Sequence, residues 1–147
     1  MAFENKVIRT VIEVLHDGEK GFRSLGEDLK DSSARSYFME ESATRGRFAS
    51  ELESALGSAT NEKVTEGGTA SGAMHRAWGE LKAKMGGSDH TLLETAEQGE
   101  DAAKKAYEEA LKMKEVPAPV QTVLRKQQTH ILAVHDRVKA MRDSTAA

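Results

Sequence analysis

Apolar residues recur along this chain at spacings of three and four, and almost nowhere in the alternation of a half-buried strand. That period belongs to helices that bury one stripe. Val7, Val11, Leu15, Phe22, Leu25 and Leu29 form the first stripe and predict a helix over residues 4–30. Asp31, Ser32 and Ser33 supply N-cap oxygens for a second helix over residues 32–56. Its stripe is Ala34, Phe38, Phe48, Leu52 and Leu56, and Gly57 is its expected stop. Residues 57–72 are polar and rich in Gly, and read as a long connection. A short amphipathic helix that buries Trp78 and Leu81 is expected over residues 73–85.

A third long helix, over residues 91–114, opens on Thr91 and Glu94, a capping-box pair. It carries Leu93, Ala96, Ala103, Tyr107 and Ala110 on one face. The fourth, over residues 119–143, starts at Pro119, where proline suits a first turn. Its seam is Val120, Leu124, Ile131, Val134, Val138 and Met141. Four such helices with one long crossover between the second and third make an all-α four-helix bundle. It is expected as one domain over residues 1–147, since 147 residues suit a single core.

Composition narrows the chemistry. With 21 Lys and Arg against 24 Asp and Glu, the net charge is −3. A nucleic-acid partner would ask for a basic surplus, so none is expected. The absence of Cys excludes disulfides, thiolate metal sites and a cysteine nucleophile. No apolar run is long enough to cross a membrane, and the opening MAFENKVIRT lacks the apolar core of a signal peptide. A cytoplasmic protein is expected. No Gly-x-Ser-x-Gly elbow and no Gly-Lys-Ser or Gly-Lys-Thr loop ending is present, which removes the commonest nucleophile and nucleotide signatures.

Each apolar stripe is interrupted by polar residues at a similar height. Glu19 follows Leu15 by one turn, and Glu41 and Arg45 lie between Phe38 and Phe48. Glu97 and Glu100 lie between Leu93 and Ala103, and Gln127 lies between Leu124 and Ile131 with His130 beside it. Gly18, Gly46 and Gly99 each adjoin one of these residues, although a Gly inside a helix costs about 1 kcal/mol against Ala. The glycines suggest close helix approach, or room for something at the bundle centre. Among the histidines, His130 is the best ligand candidate and His16 could reach the same level. His135 and Asp136 are expected on the outer face, and His75 and His90 in local contacts near helix starts. Glu41 is expected as an exposed partner of Arg45 one turn on.

These residues carry a resemblance. GEKGFRSLGED around Glu19, AEQGEDAAKKAY with Glu97 and Glu100, and the final-helix His130 resemble the ferritin-like superfamily, above all its rubrerythrin-like di-iron proteins. GAMHRAW followed by LLETAEQGEDAAKKAYEEAL and a His-rich last helix is similar to a group of uncharacterised bacterial four-helix-bundle proteins of that superfamily. The resemblance implies an iron or manganese centre held by Glu19, Glu97, Glu100 and His130. The sequence departs from the pattern at decisive positions. Alignment on RFASEL puts Arg45 where a ligand Glu belongs and Phe48 where a His belongs, and Gln127 stands for the last Glu. Two readings result. In the first, Arg45, Gln127 and the carboxylates form a buried ion-pair layer in a non-enzymatic protein without a cofactor. In the second, the remaining ligands serve a di-iron or manganese oxidase or peroxidase-like stress protein. A third reading is a helical interaction module that uses residues 57–72 or the Trp78 segment. A homodimer, with Trp78 at the contact, is the partner expectation.

Overall fold

The computed structural model describes residues 6–60 and 88–145. Among the described residues the ordered elements are four helices: α1 Lys6–Asp28, α2 Ser32–Thr60, α3 Asp89–Lys112 and α4 Ala118–Ser144. The expectations for the loop beyond residue 60, the short helix over residues 73–85, Trp78 and His75 lie outside the described residues.

Local chemistry sets the helix ends. Asp31 caps α2, its Oδ2 accepting the Ala34 N–H at 2.9 Å. Gly57 does not stop α2, which runs three residues further to Thr60. The α3 start also moves: Ser88 is the N-cap and its hydroxyl accepts the Thr91 N–H, while Glu94 turns outward to His90. Ser88 offers the same cap oxygen three residues before Thr91, so the helix begins earlier than the Thr91–Glu94 pair suggests. Pro119 sits in the first turn of α4, where its missing N–H removes nothing.

Neighbours run antiparallel around a square. α1 packs on α2 and α3, and α4 packs on α2 and α3, with the α1–α4 and α2–α3 pairs on the diagonals. Asp89 fixes one end of the bundle. Its two carboxylate oxygens accept the Lys30 and Asp31 N–H groups, each at 2.9 Å, tying the α1–α2 turn to the start of α3. At the same end His90 Nδ1 lies 2.8 Å from Thr145 Oγ1, just past α4. α2 therefore ends and α3 begins at opposite ends of the bundle. No helix among the described residues is long and apolar enough to cross a membrane.

The core is divided. One cluster packs Ile8, Leu15, Ala49, Leu52, Ala103, Tyr107, Leu124 and Ile131. The other packs Phe22, Phe38, Leu93, Ala96, Val134 and Val138, with Phe22 and Phe38 edge to face at 5.0 Å. Phe48, expected inside, is only half-buried and lies against the His130 ring at 5.1 Å. Between the two clusters lies a polar layer.

Candidate functional site

The layer is built on α2. Phe38, Glu41, Arg45, Phe48 and Leu52 follow one another at spacings of three and four, so Glu41 and Arg45 occupy the inward stripe. Arg45 and Glu100 are both 0% exposed. The guanidinium grips Glu100 of α3 with two parallel bonds, Nη1 to Oε2 at 2.8 Å and Nη2 to Oε1. Its Nε–H donates to Glu41 Oε2 at 2.6 Å. Glu41 then reaches α4, where His130 Nε2 lies 2.8 Å from Oε1 and 3.1 Å from Oε2. The α1 side is closed by Gly18 and by Phe22, whose ring centroid lies 4.9 Å from the guanidinium carbon.

Burial and charge act against each other here. Desolvation opposes the Arg45 charge, but Glu100 and then Glu41 outweigh it, so the guanidinium is held even more firmly protonated than usual. For Glu41, burial pushes the carboxyl up, and the His130 hydrogen bond with the Arg45 charge more than reverses it, leaving the group below its ordinary value. Glu100 is the opposite case: its complete burial lifts it above the ordinary range although Arg45 pulls it down. Tyr37, half-buried nearby, is pushed up to about 12 by desolvation and then by Glu41.

A second polar group lies one turn into the first apolar cluster. Gln127 is fully buried. Its Oε1 accepts the Tyr107 O–H at 2.8 Å, and its Nε2 donates to the Phe48 carbonyl at 3.0 Å and to Glu51 Oε1 at 3.1 Å. Gln127 thus satisfies Tyr107 rather than joining Arg45, and the core divides on α4 between Ile131 and Val134.

The four residues implied as metal ligands are dispersed. Glu100 is held by Arg45, and His130 faces Glu41. Glu97 pairs with Arg142 of α4. Glu19 is 43% exposed; it lies over Gly46 and 3.7 Å from His16 Nδ1. Among the described residues no group of three or more His, Asp or Glu is arranged to hold a metal ion. Two further expectations change. Glu41 is buried, because it belongs to the α2 stripe. His135 is largely covered and lies 2.7 Å from Asp101, while Asp136 beside it is exposed. Glu41 is the residue the charge pattern hides; its spacing from Phe38 and Arg45 is the signal that reveals it.

Chemically the layer is saturated. Both Glu100 oxygens and one Glu41 oxygen accept charge-assisted bonds from a single fixed cation, which suits a planar fork rather than an exchangeable ion. No curated protein matches the chain. Residues 4–113, well over half of it, match the family described as a domain of unknown function, DUF2383. That span contains α1, α2 and α3 with Glu41, Arg45 and Glu100, and stops before α4. The chain belongs to this family of domains of unknown function, DUF2383.

Proposed function

We propose that this protein is a bacterial, cytoplasmic ferritin-like bundle protein that runs no metal-dependent reaction, its centre being an ion-pair layer where related bundles hold metal ions. The observation that carries the reading is the Arg45 guanidinium locked between Glu100 and Glu41 with all three side chains buried. Two metal ions bring four positive charges and require several anionic oxygens around them. Here the two inward carboxylates already serve a cation, and Glu19 and Glu97 lie elsewhere. The donor set does not fit a di-iron or manganese centre. The superfamily placement is supported by the topology: two antiparallel hairpins, with α2 ending at the opposite end from the start of α3, as one-crossover ferritin-like bundles require.

In this reading the layer acts on the helices. Arg45–Glu100 joins the diagonal pair α2 and α3, and Glu41–His130 joins α2 to α4. Such buried pairs fix register more than they add stability. A homodimer remains part of the proposal, checked by light scattering. The metal question is answered by elemental analysis of protein purified without added metal or chelator, followed by titration with Fe(II) and Mn(II). The expected result is metal far below one ion per chain and no saturable uptake. Stoichiometric binding of two ions, lost when Glu100 or His130 is replaced, would overturn the proposal and favour an oxidase.

A further inference from the structure

The layer has a shape as well as a charge, and the shape is that of one chemical group. Three N–H groups of the planar Arg45 fork are met by carboxylate oxygens, Nη1 and Nη2 at its end by Glu100 and Nε on its side by Glu41. The Phe22 ring lies against the guanidinium at 4.9 Å. That contact favours a planar, weakly hydrated cation and offers no donor to a metal. The backbone of α1 is cut to fit. A Cβ at Gly18 would stand 3.3 Å from Nη1, 3.7 Å from Cγ and 3.8 Å from Cδ of Arg45.

We infer that this space is a binding site for guanidinium-type cations, selective for a planar fork over a point charge or a divalent metal, with the chain's own Arg45 as its resident ligand. The inference rests on the proposed ion-pair layer and deepens it. Shortening Arg45 to Ala leaves two carboxylates facing an empty space of guanidinium shape, and ethylguanidinium replaces the atoms removed beyond Cβ.

The test is chemical rescue. The melting midpoint of Arg45→Ala is measured with ethylguanidinium, ethylammonium, Mn(II) and Zn(II), each at millimolar concentration. Ethylguanidinium is expected to raise the midpoint with concentration, as a ligand of the folded state does, and to leave the parent protein unstabilised. Ethylammonium and the metals are expected to give little or no rise. If the variant does not fold alone, it is diluted from urea into the same additives; recovery of helicity with ethylguanidinium supports the site and no recovery overturns it. Rescue by Mn(II) or Zn(II) as strong as by ethylguanidinium would also overturn the selectivity. Arg45→Lys gives a second check. It keeps the charge and loses the fork, so its midpoint should fall well below the parent's; a midpoint equal to the parent's contradicts the inference. Metal content of the parent is read separately, so a failed rescue and a failed ion-pair layer give different results.

Discussion

Glu97 and Glu100 stand three residues apart on α3, and each is paired with an arginine. The Glu100 pair is closed off from water on every side, whereas Arg142 and Glu97 are 27% and 15% exposed at the rim. Three helical steps of about 100° each leave the two carboxylates about 60° apart around α3, enough to send them to different neighbours, Glu100 across the core to α2 and Glu97 sideways to α4. Shared chemistry in sequence therefore does not produce a shared site. The inner pair costs much to break, because either partner alone would be a buried charge. The outer pair is solvated when broken, and a surface ion pair is weak.

Breaking both pairs tests that contrast most strongly. Arg45→Met should lower stability by about 3–5 kcal/mol, since Glu100 and Glu41 lose their cation inside the core. Arg142→Met should leave the urea midpoint close to the parent's. Equal midpoint shifts for the two variants would erase the distinction.

Gln127 extends the comparison to a neutral buried group. Replacing it with Leu leaves the buried Tyr107 hydroxyl without its acceptor, and should cost about 1–3 kcal/mol in urea denaturation. A Gln127→Leu protein as stable as the parent would show that the Tyr107 contact carries no weight.

Two glycines give a finer contrast. A Cβ at Gly46 would meet Glu19 Oε2 at 2.6 Å, but that carboxylate is at the end of a half-exposed side chain and can swing away. Gly46→Ala should thus keep most of the helix-propensity gain, up to about 1 kcal/mol. At Gly18 the neighbour is Arg45, which is held at both carboxylates and cannot yield. Gly18→Ala should lose about 1 kcal/mol net, overpacking exceeding propensity. Opposite signs in thermal or urea unfolding are the expected outcome.

The smallest effects concern pH. The lowered Glu41 carboxyl contributes stability that is complete above the ordinary glutamate value of 4.5 and lost as pH falls through its own lower value. The raised Glu100 carboxyl contributes most below 4.5, and that contribution is lost as pH rises through its raised value. Glu41→Gln should flatten the acid side of the stability profile, and Glu100→Gln the rise-side loss above 4.5. Urea midpoints from about pH 3 to pH 7 would show the two profiles; identical changes in both would contradict the assignment.

Much of the fold was legible because a helix writes its buried face as a period, and Leu15, Phe22, Leu52, Leu124 and Ile131 all lie inside as their spacing predicts. Helix ends were less legible. Gly57 permits a stop without requiring one, and Ser88 competes with Thr91 for the cap. At the centre, Arg45 and Glu100 could be seen as breaks in apolar stripes, but their pairing across a diagonal depends on the crossover topology. Glu41 was hidden by a rule of thumb: a Glu one turn before an Arg usually marks a solvated face. The partition of Glu97 from Glu100, and of Gln127 from Arg45, follows from which neighbour each helix face meets, and one helix alone does not carry that.

The measurement closest to the centre of this picture is a double-mutant cycle across Arg45 and Glu100, with parent, Arg45→Met, Glu100→Met and the double variant unfolded in urea. A buried pair that acts as one unit predicts two large single losses and a double variant that is much more stable than their sum implies, because the Glu100 charge is then no longer stranded and Glu41 alone has lost Arg45 while keeping His130. Two small, additive losses would contradict it, showing that the guanidinium and the carboxylate are solvated and that the ion-pair layer does not organise the bundle.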